Sequence, residues 1–335
     1  MHPALASAAV LLVANLLLIL MLVVRRWRVT SAQRREEKLT RELRPAAIEL
    51  IESDGADAPV GLGPDEKRVF ADLLASYGRQ LRGLSRERIV AYFESSGAVT
   101  EQVGRLERGR AWHRAAAAFA LGDMGSTQAV PNLLRALDDR AVDVRRAAAR
   151  SLGRIGATDA IRPLVDVAVT GRVQRDVAKL ALLDIGPAAV PELVELSGHP
   201  EPLVRASAVE LVGLIGSADD ATAIIDRLTD PSAAVRVAAA GALGRLGAAE
   251  ARDALVRALD DRVPAVRVAA ANALGGIGGR QAAAALLSIA RSDTFEAAHA
   301  AAEALSRVDP RLVLQVAVAP DAGHHLVEAA DRLAL

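Results

Sequence analysis

His324, His325 and Glu328 are the side chains whose types and spacing come nearest to a metal site, because residues three and four apart share one face of a helix. The other histidines are scattered, so the trio reads as an ordinary polar helix face, and no metal or cofactor is expected. Other chemistry is poorly supplied. The absence of cysteine removes thiolate ligands, cysteine nucleophiles and disulfides. Only three lysines stand beside 38 arginines, and Lys179 alone lies in the repeated part of the chain. Gly275, Gly276, Gly278 and Gly279 fall at a helix end and form no Gly-x-x-x-x-Gly-Lys-Ser/Thr loop. Neither a Gly-x-Ser-x-Gly elbow nor a His-Glu-x-x-His pair occurs. No catalytic residue is assigned, and the chain is not read as an enzyme.

The residues that do recur at fixed spacing belong to a scaffold. On one frame, six segments read HRAAAAFALGDMG, VRRAAARSLGRIG, QRDVAKLALLDIG, VRASAVELVGLIG, VRVAAAGALGRLG and VRVAAANALGGIG. Arg114, Arg145, Arg175, Arg205, Arg236 and Arg267 form one column, and Gly125, Gly156, Gly186, Gly216, Gly247 and Gly278 form another, 11 residues on. EAAHAAAEALSRVD is a seventh, degenerate unit, and LVEAADRLAL a closing helix. Such a register is an internal repeat. The glycine column suits left-handed C-caps. A shorter helix precedes each unit: AVPNLLRAL, AIRPLVDVA, AVPELVEL, TAIIDRL, RDALVRAL and AAALLSIA. The unit is therefore helix–turn–helix, with inward packing predicted at offsets 3, 6, 7 and 10 from the arginine.

Residues 230–247, DPSAAVRVAAAGALGRLG, carry the pattern most completely. From residue 112 to 335 the sequence resembles HEAT repeats, in particular the short HEAT-like repeats of phycobilisome lyases. The resemblance implies an all-α, armadillo-like α-solenoid (α-α superhelix) whose second helices line a concave face. It further implies that each column arginine is structural and meets an acidic residue in its own turn or the next unit. Asp139, Asp230 and Asp261 lie six residues before their arginines, while Val169, His199 and Ser292 stand there in other units. A bilin lyase or chromophore-attachment subunit is the enzyme reading the resemblance permits. The His-Glu dipeptides of HEAT-type iron hydroxylases do not occur.

Opposite the predicted core, offsets 1, 5 and 9 form a variable stripe. It runs Arg146, Arg150, Arg154; Asp176, Leu180, Asp184; Ala206, Glu210, Leu214; Val237, Gly241, Arg245; Val268, Asn272, Gly276; His299, Glu303, Arg307. The constant frame beside varying stripe residues marks the stripe as the partner-binding surface. The arginine ridge either captures acidic groups or is neutralised by Asp176 and Asp184 of the next unit. Val237, Val268 and Leu214 suit a partner helix.

Residues 4–24, ALASAAVLLVANLLLILMLVV, form an uncharged run of 21 followed by Arg25, Arg26, Trp27 and Arg28. At about 1.5 Å per residue such a run spans roughly 31 Å, a bilayer's hydrocarbon thickness. Eight basic and three acidic side chains lie between residues 25 and 44, and none of either sign precedes residue 25. The positive-inside rule places the N-terminus outside and the rest in the cytoplasm. The uncharged front and long apolar run argue against a cleaved signal. The expected organisation is an anchor (1–28), a charged juxtamembrane helix broken near Pro45 with a Gly/Pro/Asp linker (29–64), a helical cap (65–111) and the repeats (112–335).

Apolar residues at 52% with 41 basic against 41 acidic exclude general disorder. From 126 to 335 there are 23 basic and 26 acidic residues and one aromatic, Phe295, which disfavours a nucleic-acid surface. The excess of Arg over Lys and the Ala content suggest a bacterial source. The expected function is a single-pass cell-membrane scaffold that holds a protein partner, a membrane-associated enzyme among the candidates, on its cytoplasmic side.

Overall fold

The computed structural model describes residues 3–53, 59, 61–292, 294–319 and 322–334, with side chains from Leu18 onward apart from 19, 25, 28, 29 and 32. The helices in chain order are α1 (Pro3–Glu52), α2 (Pro64–Gly78), α3 (Leu84–Ser95), α4 (Ala98–Arg108), α5 (Ala111–Met124), α6 (Val130–Ala136), α7 (Val142–Ile155), α8 (Ile161–Val169) and α9 (Arg175–Ile185). They continue with α10 (Val190–Leu196), α11 (Pro202–Ile215), α12 (Ala233–Leu246), α13 (Arg252–Ala258), α14 (Pro264–Ile277), α15 (Arg280–Ser292), α16 (Phe295–Val308), α17 (Pro310–Ala317) and α18 (His324–Ala334). No strand occurs among the described residues. The chain divides into two compact units, one of residues 1–101 with 123–126, the other of 102–122 with 127–335.

The first unit has its core where α1, α2 and α3 meet. Leu43, Ala47, Leu50 and Ile51 of α1 are buried, as are Val69, Phe70, Leu73 and Leu74 of α2 and Ile89 and Phe93 of α3. Phe70 and Tyr92 meet edge to face at 5.4 Å, and Arg88 Nη1 donates to the Ile51 carbonyl at 2.7 Å. The break expected near Pro45 is absent: α1 runs through it. A proline inside a helix costs about 3 kcal/mol, but here the ring points to solvent while Leu43, Ala47 and Leu50 are buried around it. Tertiary packing outweighs the local penalty. The linker expected after α1 lies largely outside the described residues, which omit 54–58 and 60.

Among the described residues no helix is long and apolar enough to cross a membrane. The expected span over 4–24 falls for the greater part outside the described side chains. Those that are described, Leu18, Leu20, Met21, Leu22, Val23 and Val24, are exposed, followed by Trp27.

The second unit stacks helical hairpins. Residues at offsets 3, 6 and 7 of the second helices are buried, for instance Ala148, Ser151 and Leu152 in α7 and Ala239, Ala242 and Leu243 in α12. Offset 10, expected inside, is buried at Met124 and Ile185 but only half-buried at Ile155, Ile215, Leu246 and Ile277. Gly156 ends α7 at φ 79°, its N–H donating to Gly153 and Leu152 carbonyls. Gly216 departs from its column at φ −78°, since Ser217 opens a capped turn there with its N–H on Asp220 Oδ2 at 2.7 Å. The helix expected over TAIIDRL is likewise replaced by two 3-10 segments, Ala218–Ala223 and Ile225–Thr229.

A second glycine column closes the stack. Built on Gly153, a Cβ would stand 2.6 Å from Ala181 Cα; on Gly213, 2.4 Å from Ala242 Cα; on Gly244, 2.7 Å from Ala273 Cα. Gly122 meets Ser151 and Gly275 meets Ala304 in the same way. Consecutive second helices therefore touch backbone to backbone through offset 8 of one and offset 6 of the next. Between α9 and α11 the corresponding residues are Leu183 and Leu211, and these two helices approach far less closely.

Candidate functional site

The column arginines build a ladder along the hairpin turns. Arg114 Nε and Nη2 donate to the two oxygens of Asp139 at 2.8 and 2.7 Å. Arg205 grips Asp230 at 2.8 Å on both oxygens, and Arg236 grips Asp261 at 2.7 and 2.9 Å. Each carboxylate thus serves the arginine of the preceding unit, 25 residues earlier. To its own turn the arginine gives Nη1, which donates to a carbonyl: Arg145 to Asp139, Arg205 to His199, Arg236 to Asp230 and Arg267 to Asp261. The same aspartates accept the N–H groups of Ala141, Ser232 and Val263, each at 2.8 Å, at the starts of the following helices.

Where the aspartate is missing the contact is improvised. Arg145 Nε donates to the Arg172 carbonyl at 2.7 Å, and Arg267 Nη2 to Thr294 Oγ1 at 3.4 Å. His199 Nδ1 substitutes as acceptor for the Glu201 N–H at 3.1 Å. Arg175 is exposed. The ladder's ions are largely shielded, with Asp230 at 4% side-chain exposure against 12% for Arg205. The guanidinium beside each of Asp139, Asp230 and Asp261 holds its carboxyl below the ordinary carboxylate range, with burial opposing and the backbone N–H assisting. These groups are all used up in holding turns together, which is structural work.

The stripe lies on the opposite side of the same helices, and none of its positions is fully buried. Arg150, Asp176, Asp184, Glu210, Leu214, Arg245, Asn272 and Arg307 are exposed; Arg146, Arg154, Val237, Val268 and Glu303 are half-buried. Neutralisation of the basic ridge by the next unit is not what the structure shows. Arg146 pairs with Asp143 of its own helix at 3.5 Å, and the Arg154 guanidinium lies 4.3 Å over the Phe119 ring. Among the described residues neither Asp176 nor Asp184 has an ion-pair partner. An exposed pair is worth about 0–1 kcal/mol, too little to draw these side chains across. Ties that cross units on this side include Lys179 to Glu210 at 2.7 Å, Arg245 Nε to the Gly213 carbonyl at 3.2 Å, and Arg332 to Glu303 at 2.7 Å.

The histidine trio is recomposed. His324 is 80% exposed, and its Nε2 is 4.0 Å from Glu328 Oε2. His299 takes its place: one ligand atom from each of His299, His325 and Glu328 lies within 4.8 Å of the others. Burial, then the neighbouring His299 and His324, push the His325 pKa below its ordinary value, with Glu328 opposing. Sequence reasoning placed His299 on the stripe and not in this cluster, because it lies on another helix. It also missed the second glycine column, which the aligned units already carried at Gly122, Gly153, Gly213, Gly244 and Gly275.

Hairpins stacked in register and bridged turn to turn define a helical-repeat protein. More particularly, residues 105–183 and 221–306 match the family described as HEAT repeats. No curated protein matches the chain. Among solved structures it is similar to the complex of CpcE and CpcF of phycocyanin lyase from Nostoc sp. PCC7120, at 23% identity over 44% of this chain and 98% of that one, TM-score 0.40. It is also similar to human deoxyhypusine hydroxylase in complex with glycerol, at 20% identity over 82% and 98%, TM-score 0.34. An engineered protein matches at 20% identity over 89% and 97%, TM-score 0.41. These likenesses carry no activity over to this chain.

Proposed function

We propose that this chain is a scaffold: HEAT repeats held at a cell membrane by residues 4–24, with the N-terminus outside and the repeats on the cytoplasmic side, docking a protein partner along the variable stripe. The observation that carries this reading is the contrast between the two sides of the second helices. One side spends its charges on the turn ladder, whereas the stripe varies from unit to unit and keeps Arg150, Asp176, Leu180, Asp184 and Leu214 exposed. Arginines at one end and Leu180, Leu214, Val237 and Val268 beyond them suit an amphipathic partner helix with acidic residues. Tethering strengthens such a contact by raising the local concentration. Consecutive exposed apolar side chains from Leu20 to Val24 leave α1 no polar face there, which supports a lipid environment.

Crosslinking in intact membranes tests the docking surface. Wild type is compared with a variant carrying Arg146→Ala, Arg150→Ala, Arg154→Ala, Val237→Glu and Val268→Glu, and the crosslinked partner is expected to be lost. An unchanged partner profile removes the stripe from consideration. Deleting residues 1–28 is expected to release the protein from the membrane fraction, and retention would sink the anchor. Mixing the chain with a bilin is expected to leave the pigment's absorbance unchanged; a shift would favour chromophore attachment instead.

A further inference from the structure

His299 stands one turn into α16, while His325 and Glu328 lie three residues apart at the start of α18, the next second helix in the stack. We propose that these three side chains form a binding site for one borderline divalent metal ion of the zinc type, joining the last two hairpins. The donor set is two imidazole nitrogens and one carboxylate oxygen, which suits zinc and its late-transition neighbours and not magnesium or calcium.

Their spacing is close to what coordination requires. Tetrahedral bonds of about 2.0–2.1 Å put ligand atoms roughly 3.3 Å apart, so from the 4.8 Å envelope small side-chain adjustments bring them together. The imidazoles are already oriented. Phe295 lies parallel to His299 (5° between planes) and edge-on to His325 at 4.6 Å, while the two imidazole centroids are 5.5 Å apart. Nδ1 of His325 is shielded from solvent and meets no hydrogen-bond partner among the described residues. A buried nitrogen in that state is costly and is normally explained by a partner such as an ion.

The surroundings supply charge and an outer shell. Arg332 Nη2 donates to Glu328 Oε1 at 2.6 Å, and its Nη1 to Glu303 Oε1 at 2.7 Å. Glu303 Oε1 is in turn 3.5 Å from His299 Nε2. Two carboxylates against one guanidinium leave a net negative charge facing two imidazoles, which favours a cation. Arg332 also fixes the Glu328 carboxylate through one oxygen, as outer-shell partners of metal ligands do.

The test uses the full chain in detergent without a polyhistidine tag, titrated with Zn²⁺ in competition with a chromophoric chelator. One equivalent is expected to bind and to raise the melting temperature. His299→Ala, His325→Ala and Glu328→Gln are each expected to weaken binding about tenfold or more, a scale that even outer-shell changes reach. His324→Ala is expected to leave affinity within about twofold, and His299→Cys, which restores a ligand, to recover binding lost in His299→Ala. Circular dichroism of the metal-free variants reports whether each still folds, and the His299→Cys recovery decides the matter should any of them not. Absence of stoichiometric binding, equal losses in His324→Ala and His299→Ala, no recovery in His299→Cys, or equal thermal protection by Mg²⁺ would overturn the proposal.

Discussion

Asp230 shows how much rests on single ladder carboxylates. It accepts two hydrogen bonds from Arg205 and one from the Ser232 N–H, and its own carbonyl receives Arg236 Nη1. Asp230→Asn leaves the shielded Arg205 guanidinium without its counter-charge, and breaking a buried pair costs about 3–5 kcal/mol. Urea unfolding at neutral pH is expected to show a loss of that size, and a change under 1 kcal/mol would mean that the pair is solvated. The same carboxylates set the acid limit. Because Arg114, Arg205 and Arg236 lower the pKa values of Asp139, Asp230 and Asp261, these groups stabilise the fold at pH above the unfolded carboxylate value. That stability is lost as the pH falls through the still lower folded values. A plot of unfolding free energy against pH is expected to drop below about pH 4 and to drop less steeply in Asp230→Asn; an unaltered slope would exclude the ladder as the cause. The arginine column was legible in the sequence, but its pairing was not. Spacing puts Asp230 six residues before Arg236, whereas the carboxylate turns away to Arg205, because adjacent turns sit side by side in a stack.

At the scale of the helix, two glycines of α12 separate packing from propensity. Gly244 presses on Ala273, where a Cβ would lie 2.7 Å from Cα and 2.9 Å from Cβ. Gly241, one turn earlier and on the stripe, has only the guanidinium tip of Arg245 nearby, at 3.5 Å. Gly244→Ala is expected to destabilise by about 1–3 kcal/mol through overpacking. Gly241→Ala is expected to stabilise by about 0.5–1 kcal/mol through helix propensity. Thermal melts of the two variants check the contrast, and equal shifts would show that the helices are not in backbone contact. Periodicity revealed the helices and their buried faces, since Ala and Leu recur at offsets 3, 6 and 7. It did not reveal that α1 continues through Pro45 or that 218–229 forms 3-10 turns. Those outcomes depend on burial of Leu43 and Ala47 in one case and on the Ser217–Asp220 cap in the other. The juxtaposition of His299 with His325 escaped for a related reason: they are 26 residues apart and meet only because α16 and α18 pack together.

Across the whole repeat array, coupling passes from hairpin to hairpin, so stability is a sum of unit and nearest-neighbour contributions. A glycine seam and an aspartate rung together join α5 to α7, α11 to α12 and α12 to α14; between α11 and α12 Gly213 meets Ala242 and Arg205 grips Asp230. Between α9 and α11 both are altered: Leu183 and Leu211 occupy the seam, and His199 stands where the rung's aspartate would be. The ties that remain there are exposed ion pairs, Lys179 with Glu210 and Arg162 with Glu192 and Glu195, each worth about 0–1 kcal/mol. The interruption of the HEAT match between residues 183 and 221 falls on the same place. A perturbation on one side is therefore expected to stop there. In native-state hydrogen exchange, Asp230→Asn should reduce protection in α11, α12 and α14, which share tight seams, and leave α7 and α9 close to wild type. Equal loss of protection in α7 and α12 would show that the leucine seam transmits as well as the glycine ones. Loss confined to α12 alone would show that even the tight seams do not couple neighbours.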